Sequence, residues 1–349
     1  MKNKNFWIFI LLIISCTSLY SQKDEVIITP NISAENAYNQ ALFYLEKQQY
    51  QNAIKLLDYA INKNPSFVKA YYNRGIARFQ NNDYIGAIAD FTRVIDKEPS
   101  ATAYFYRGQA KIAVNDIDAA LLDFLKSAEK DPSIAEVHYN IGVIKFEQQK
   151  YEEAIKSFDT AINLKPDYAY AYNDRGSAKR QLNQLDEAIE DYIKAVKINR
   201  NMAFTFNNLG SIKKQQGKYE EAISFYNKAI DLKPDYYIAY NNRGSAKFDS
   251  GNYTEALADF NEAIRIKPDY VFAYNNRGNA KYKLNMYNES IEDYTRAIQL
   301  DANYGFAYMN RGIVKEQLRD ETGACEDWQK AAELGIENAK VVLKDQCNK

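Results

Sequence analysis

The 349-residue sequence holds one histidine, three cysteines and seven prolines. A lone His138 without clustered cysteines leaves no ordinary zinc site, which needs several such ligands drawn together. No phosphate-cradling glycine loop and no nucleophile elbow occurs. Acidic and basic residues nearly cancel, 46 against 45, so the basic excess of a nucleic-acid binder is missing. The one uninterrupted apolar run, Phe6 to Ile14, is far short of the roughly 20 residues of a membrane-spanning helix. With 14 glycines and few prolines the chain is not of low complexity. These absences argue against an enzyme, a bound metal or cofactor, a nucleic-acid partner and a transmembrane helix in the mature chain.

What the N-terminus does have is the layout of a secretory signal over residues 1–21. Lys2 and Lys4 precede the apolar run, and small polar residues follow it. Two processing routes are open. "IISC" (Ile13–Cys16) is similar to a bacterial lipobox, in which Cys16 would carry a lipid anchor; "LYSQ" (Leu19–Gln22) could be cut after Ser21. Either route exports the protein, to the periplasm or to a membrane-anchored place on the bacterial cell envelope. Residues 22–33 read as a flexible lead-in. The other two cysteines, Cys325 and Cys347, could pair in an oxidising compartment, worth about 3 kcal/mol for such a loop, or stay two separate thiols.

Tyrosine is abundant at 29 residues, and the sequence repeats itself. Gly75, Gly108, Gly142, Gly176, Gly210, Gly244, Gly278 and Gly312 recur every 34 residues, with one step of 33. Twelve residues after each stands Ala87, Ala120, Ala154, Ala188, Ala222, Ala256, Ser290 or Ala324, and four further on an aromatic from Phe91 to Trp328. Apolar and small positions within a unit recur at three and four, which is helical spacing. A short turn such as "DSGNY" and a terminal "KPD" bound two helices per unit. One such hairpin cannot bury its own apolar face, but stacked neighbours can, which makes the fold all-α and solenoidal.

This pattern resembles the tetratricopeptide repeat family. The resemblance implies a right-handed superhelical solenoid of about nine helix-turn-helix units over residues 34–338, starting at 34, 68, 101, 135, 169, 203, 237, 271 and 305. "WQKAAELGIENAKVVL" (328–343) is similar to the end of a Sel1-like repeat, and residues 339–349 are expected to cap the stack.

Numbered within the repeat, position 7 is usually apolar in this family. Here it holds Arg74, Arg107, Arg175, Arg243, Arg277 and Arg311. In the same units position 23 holds Asp90, Asp123, Asp191, Asp259, Asp293 and Asp327. The remaining three units lose both together: Gln40 with Leu56, Ile141 with Ser157, Leu209 with Phe225. Loss in pairs points to structural ion pairs across the hairpin, each guanidinium holding a carboxylate with two parallel bonds, rather than to a phosphate-binding row. His138 stands where other units carry Tyr or Phe, and is expected to be a core ring.

In the family, positions 2, 5, 6, 9, 12 and 13 tend to face the concave groove. Position 6 is asparagine in seven units, among them Asn140, Asn208, Asn242, Asn276 and Asn310, with Tyr106 and Asp174 as exceptions. From the fifth unit position 5 adds Asn173, Asn207, Asn241 and Asn275, and position 2 becomes aromatic at Tyr170, Phe204, Phe272 and Phe306. An amide matches the donor and acceptor of a peptide group, and the row looks like the asparagine ladder in the repeats of O-GlcNAc transferase. The competing readings are asparagines inherited by duplication and aromatics used between units. No lysine stands at position 5, so the carboxylate clamp that some family members use for a chaperone tail is not expected. The resemblance thus implies a non-enzymatic protein–protein interaction scaffold, taking an extended partner segment in its groove. The alternative is a glycan-binding module on the same aromatic and amide surface. Oligomeric state and partner identity are not written in the sequence.

Overall fold

The computed structural model describes residues 32–347, so the signal segment, Cys16 and most of the lead-in lie outside the described residues. The described residues divide into two compact bodies, parted between Ser127 and Ala128. The first contains α1 (Ala34–Glu46), α2 (Tyr50–Lys63), α3 (Val68–Gln80), α4 (Tyr84–Lys97), α5 (Ala101–Ala113) and most of α6 (Ile117–Lys130). The second contains α7 (Ala135–Glu147), α8 (Tyr151–Leu164), α9 (Ala169–Gln181), α10 (Leu185–Ile198), α11 (Ala203–Gln215) and α12 (Tyr219–Leu232). It continues through α13 (Tyr237–Asp249), α14 (Tyr253–Ile266), α15 (Val271–Lys283), α16 (Tyr287–Leu300), α17 (Gly305–Gln317), α18 (Glu321–Glu333) and α19 (Glu337–Val342), ending in one π-helical turn, Leu343–Cys347. Among the described residues there is no strand, and the helices pair as an all-α solenoid of helix-turn-helix repeats.

Each repeat is a 13-residue first helix, a three-residue turn and, in all but the last, a 14-residue second helix. The middle turn residue always adopts a positive φ, at Gln48, Asn82, Asn115, Gln149, Asn183, Gly217, Gly251, Asn285 and Arg319. This left-handed kink reverses the chain within three residues; asparagine and glycine tolerate it, whereas Gln149 (φ 61°) and Arg319 (φ 67°) hold it under strain. At the far end, Asn64, Glu98, Lys165, Lys233 and Lys267 leave the second helix in an extended or near-extended conformation, which the following proline imposes. Asn199 and Asp301 take the same conformation without a proline, so neighbouring contacts also enforce it.

The recurrent glycine marks the crossing of the two helices. A Cβ on Gly142 would lie 2.6 Å from the Phe158 ring, and one on Gly312 would lie 2.5 Å from Trp328. The aromatic therefore occupies the volume a side chain would need. The alanines four residues before it, such as Ala154, Ala188 and Ala256, are fully buried beneath the same crossing. At the C-terminus Cys325 on α18 and Cys347 form a disulfide with Cα atoms 5.8 Å apart, tying the last turn to the last repeat. Among the described residues no helix is long and apolar enough to cross a membrane.

Candidate functional site

The arginine column is interior scaffolding of the second-helix side. Arg74 donates from Nε to Asp90 Oδ2 at 2.9 Å and from Nη2 to Oδ1 at 2.6 Å. Arg107–Asp123, Arg175–Asp191, Arg243–Asp259, Arg277–Asp293 and Arg311–Asp327 repeat this fork. The hydrogen bond to Asp123 raises the pKa of Arg107 against the opposing cost of burial. All six carboxylates are 2–4% exposed and would be costly there unpaired.

Two further partners escape the sequence reading. Position 11 brings a second cation to each carboxylate, as Lys247 Nζ at 3.1 Å from Asp259 and Lys281 Nζ at 2.7 Å from Asp293. The guanidinium's third arm reaches the preceding repeat at position 25, where Asp58, Thr92, Asp159, Asn227, Asn261 and Thr295 accept from Nη1 at 2.6–3.1 Å. Position 25 is Leu125 before Ile141 and Ile193 before Leu209, so the acceptor and the arginine vanish together. In those two repeats Lys145 and Lys213 turn to Glu153 and Glu221. The chemistry at position 25 varies among acid, amide and hydroxyl, which hides this coupling in the sequence.

A tyrosine at position 4 covers each guanidinium, with Arg243 5.4 Å from the Tyr240 ring centre. His138 occupies that position in a repeat without the arginine. It is not the expected core ring: it is half-buried, with Nε2 2.9 Å from the Pro132 carbonyl oxygen. Tyr274 reaches the Pro268 carbonyl in the same way while lying over Arg277, so this contact does not depend on the missing guanidinium. Among the described residues no group of acidic, His or Cys side chains could hold a metal ion.

The asparagines form a bonded ladder along the first helices of the second body. Asn173, Asn207, Asn241 and Asn275, expected to line the groove, are 4–7% exposed. Their acceptors are taken by the next repeat: Asn242 donates to Asn207 Oδ1 at 2.9 Å, Asn276 to Asn241 at 3.0 Å, and Asn310 to Asn275 at 2.9 Å. Asn208 reaches Asn173 more loosely at 3.4 Å, where Thr205 also donates at 2.8 Å. The position-5 amides thus sit between repeats and orient the position-6 amides, which stay half-exposed. One N–H of each position-6 amide is committed and the second is not. Asn140 turns aside and donates to its own helix at Glu136 O.

The aromatics divide in the same way. Tyr170 and Phe204 stack on one another with ring centres 6.1 Å apart. Phe272 and Phe306 are 41% and 56% exposed, joined through Tyr304 at 5.4 and 6.0 Å. Behind the amides, Tyr226 Oη donates to Ser211 Oγ at 3.3 Å and Tyr294 Oη to Asn279 Oδ1 at 2.7 Å, so position 9 carries hydroxyls and an amide. Between repeats six and seven, Ser211, Lys214, Gln215, Tyr226, Asn242 and Asp249 line a cavity of about 380 Å³.

Family models decide what these repeats are. Two descriptions, "TPR repeat" and "Tetratricopeptide repeat", match the chain: the first at 142–179, 176–217, 210–249 and 244–285, the second at 38–102, 77–133 and 271–304. The chain belongs to the tetratricopeptide-repeat (TPR) family. Such proteins are generally non-catalytic, and the fold supports protein–protein interaction as the coarse function of this one. Among solved structures, the TPR fold is shared with a tetratricopeptide repeat protein from Parabacteroides merdae, 20% identical with a TM-score of 0.58, covering 71% of this chain and 99% of that one. Part of a TPR repeat-containing protein from Cytophaga hutchinsonii is 19% identical with a TM-score of 0.53, covering 68% and 98%. The APC/C hetero-tetramer Cut9–Hcn1 gives 16% and 0.59, covering 90% and 66%. At these identities the likeness is one of fold. No curated protein matches the sequence significantly.

Proposed function

We propose that this TPR protein is a non-enzymatic scaffold of the bacterial cell envelope that holds an extended segment of a partner protein along the first-helix face of repeats five to nine. The observation that carries the reading is the row of half-exposed amides Asn208, Asn242, Asn276 and Asn310, each oriented by a buried amide of the repeat before it. A peptide backbone meets donors and acceptors already fixed in place, so little order is lost on binding. Phe272 and Phe306 offer apolar faces beside the row. Export through residues 1–21, with a lipid at Cys16 or cleavage after Ser21, fits a disulfide at Cys325–Cys347, since such bonds persist in oxidising compartments. The Sel1-like cap expected at 339–349 would be α19 and the turn after it, which begin two residues earlier, at Glu337.

A crosslinking pull-down from the native envelope tests this. The wild type is compared with N208A/N242A/N276A and with N207A/N241A, which removes the buried partners and leaves the surface amides. Capture lost in the first variant and weakened in the second, with both folded, is the expected result. Equal capture by all three proteins overturns the groove assignment.

A further inference from the structure

Seven repeats carry asparagine at position 6, and repeat five carries Asp174. Its carboxylate lies in the same row. Oδ2 accepts from Tyr139 Oη at 2.7 Å and Oδ1 from Asn173 Nδ2 at 2.8 Å. The neighbouring junction joins the same two positions with neutral groups and the opposite direction, position 6 donating, and in the first body Asn73 donates to Tyr38 Oη at 2.8 Å in the equivalent place. An amide would therefore fit where Asp174 stands.

Asp174 is only half-buried, less so than the aspartates of the arginine column, and it differs from them in its partners. Each of those is held by two cations, for example Asp259 by Arg243 and Lys247. Asp174 has two neutral donors and, among the described residues, no cation in contact. The charged or titratable groups facing it are Tyr139 and Glu147 on α7, Tyr168 at the start of α9 and Tyr192 on α10. Arg180 is felt at Tyr192 and Tyr226 and is not among the groups that shift Asp174. Burial pushes Asp174 up to about 6, the bonds from Tyr139 and Asn173 oppose this, and Glu147 adds to it. Glu147, an exposed residue at the end of α7, is itself raised by partial desolvation. A partly desolvated carboxylate without a counter-charge either takes a proton or gains strongly from a cation that arrives.

We propose that Asp174 is the specificity position of the groove, selecting a partner segment that places a lysine or arginine side chain at repeat five. This rests on the groove reading above and names the chemistry of its occupant. The flanking amides hold backbone in any sequence, whereas Asp174 rewards one cation at one register and so fixes where along the groove the segment sits. Glu147 strengthens the preference from the preceding repeat. Because the free carboxylate takes up a proton as the pH falls through about 6, capture of the basic segment weakens below that pH.

The test uses an array of immobilised random dodecapeptides probed with the full mature protein, with D174N, and with N208A/N242A/N276A. D174N reinstates the residue of seven other repeats, and its fold is checked by its melting curve. Wild type at pH 7.5 is expected to enrich lysine and arginine among bound peptides. For the best such peptide, D174N should bind about tenfold more weakly, the size of one charge-assisted hydrogen bond, and lose the difference between pH 7.5 and pH 5. Peptides without a basic residue should bind D174N and wild type alike. Binding by wild type with no basic enrichment, or enrichment that survives in D174N, overturns this proposal and leaves the groove reading standing. Peptides that bind wild type and N208A/N242A/N276A equally overturn the groove reading, and no binding at all overturns both.

Discussion

Each guanidinium of the arginine column serves two repeats at once, two arms inside its own hairpin and one across the junction behind it. Arg243→Leu leaves Asp259 with Lys247 alone in a buried place, and a loss of about 3–5 kcal/mol in chemical unfolding is expected. The triple variant N227I/R243L/D259F copies Ile193, Leu209 and Phe225 of the neighbouring junction. Lys247 then has Glu255, already 3.4 Å away, to fall back on. Most of the lost stability should return; equal losses for single and triple variants would reject the column as a coupled set. The Arg–Asp pairing was legible because both partners keep one identity. The position-25 acceptor was not, since three side-chain chemistries do the same work there. The buried place of Asn207 and Asn241 was also hidden, because positions 5 and 6 carry the same letter and only packing separates the amide between repeats from the one on the face.

At the scale of the element, the turn between paired helices sets the strain. Gln149 and Arg319 are exposed and adopt a left-handed backbone that Gly217 and Gly251 adopt freely. Gln149→Gly and Arg319→Gly should each stabilise the fold by about 1 kcal/mol, read as a raised denaturation midpoint. Gly251→Ala should shift it the other way. The helices themselves were legible from periodicity, glycine and proline; the sign of φ at the turn was not singled out, since glutamine, asparagine, glycine and arginine all occur there. At the C-terminus, the reduced or Cys325→Ser protein should lose about 3 kcal/mol. The loss should be confined to α18 and α19, so hydrogen exchange ought to rise there while the middle repeats are unchanged.

Across the molecule, Asp174 adds its own contribution to the dependence of stability on pH. Asp174 holds its proton to about pH 6 when folded and to about 4 when unfolded. The folded chain therefore binds the proton more tightly, and stability falls as pH rises between those values, by on the order of 2 kcal/mol. Asp174→Asn should remove that slope, so the variant melts higher than wild type at pH 7.5 and alike at pH 4. A flat difference across that range would mean that the carboxylate is fully hydrated in the folded protein.

The coupling between position 25 and the next position 7 has a consequence for how such a stack can be edited. Repeats match like dominoes, end to end, and the tile edge does not coincide with the first residue of the first helix. Excising residues 203–236 would bring Ile193 against Arg243, a mismatched pair of ends. Excising residues 193–226, an equal length, would instead join Tyr192 to Asn227 and keep Asn227 before Arg243. Only the second cut leaves every junction with a partner it already has, so recombination that shortens or lengthens this array should favour breakpoints inside the second helix.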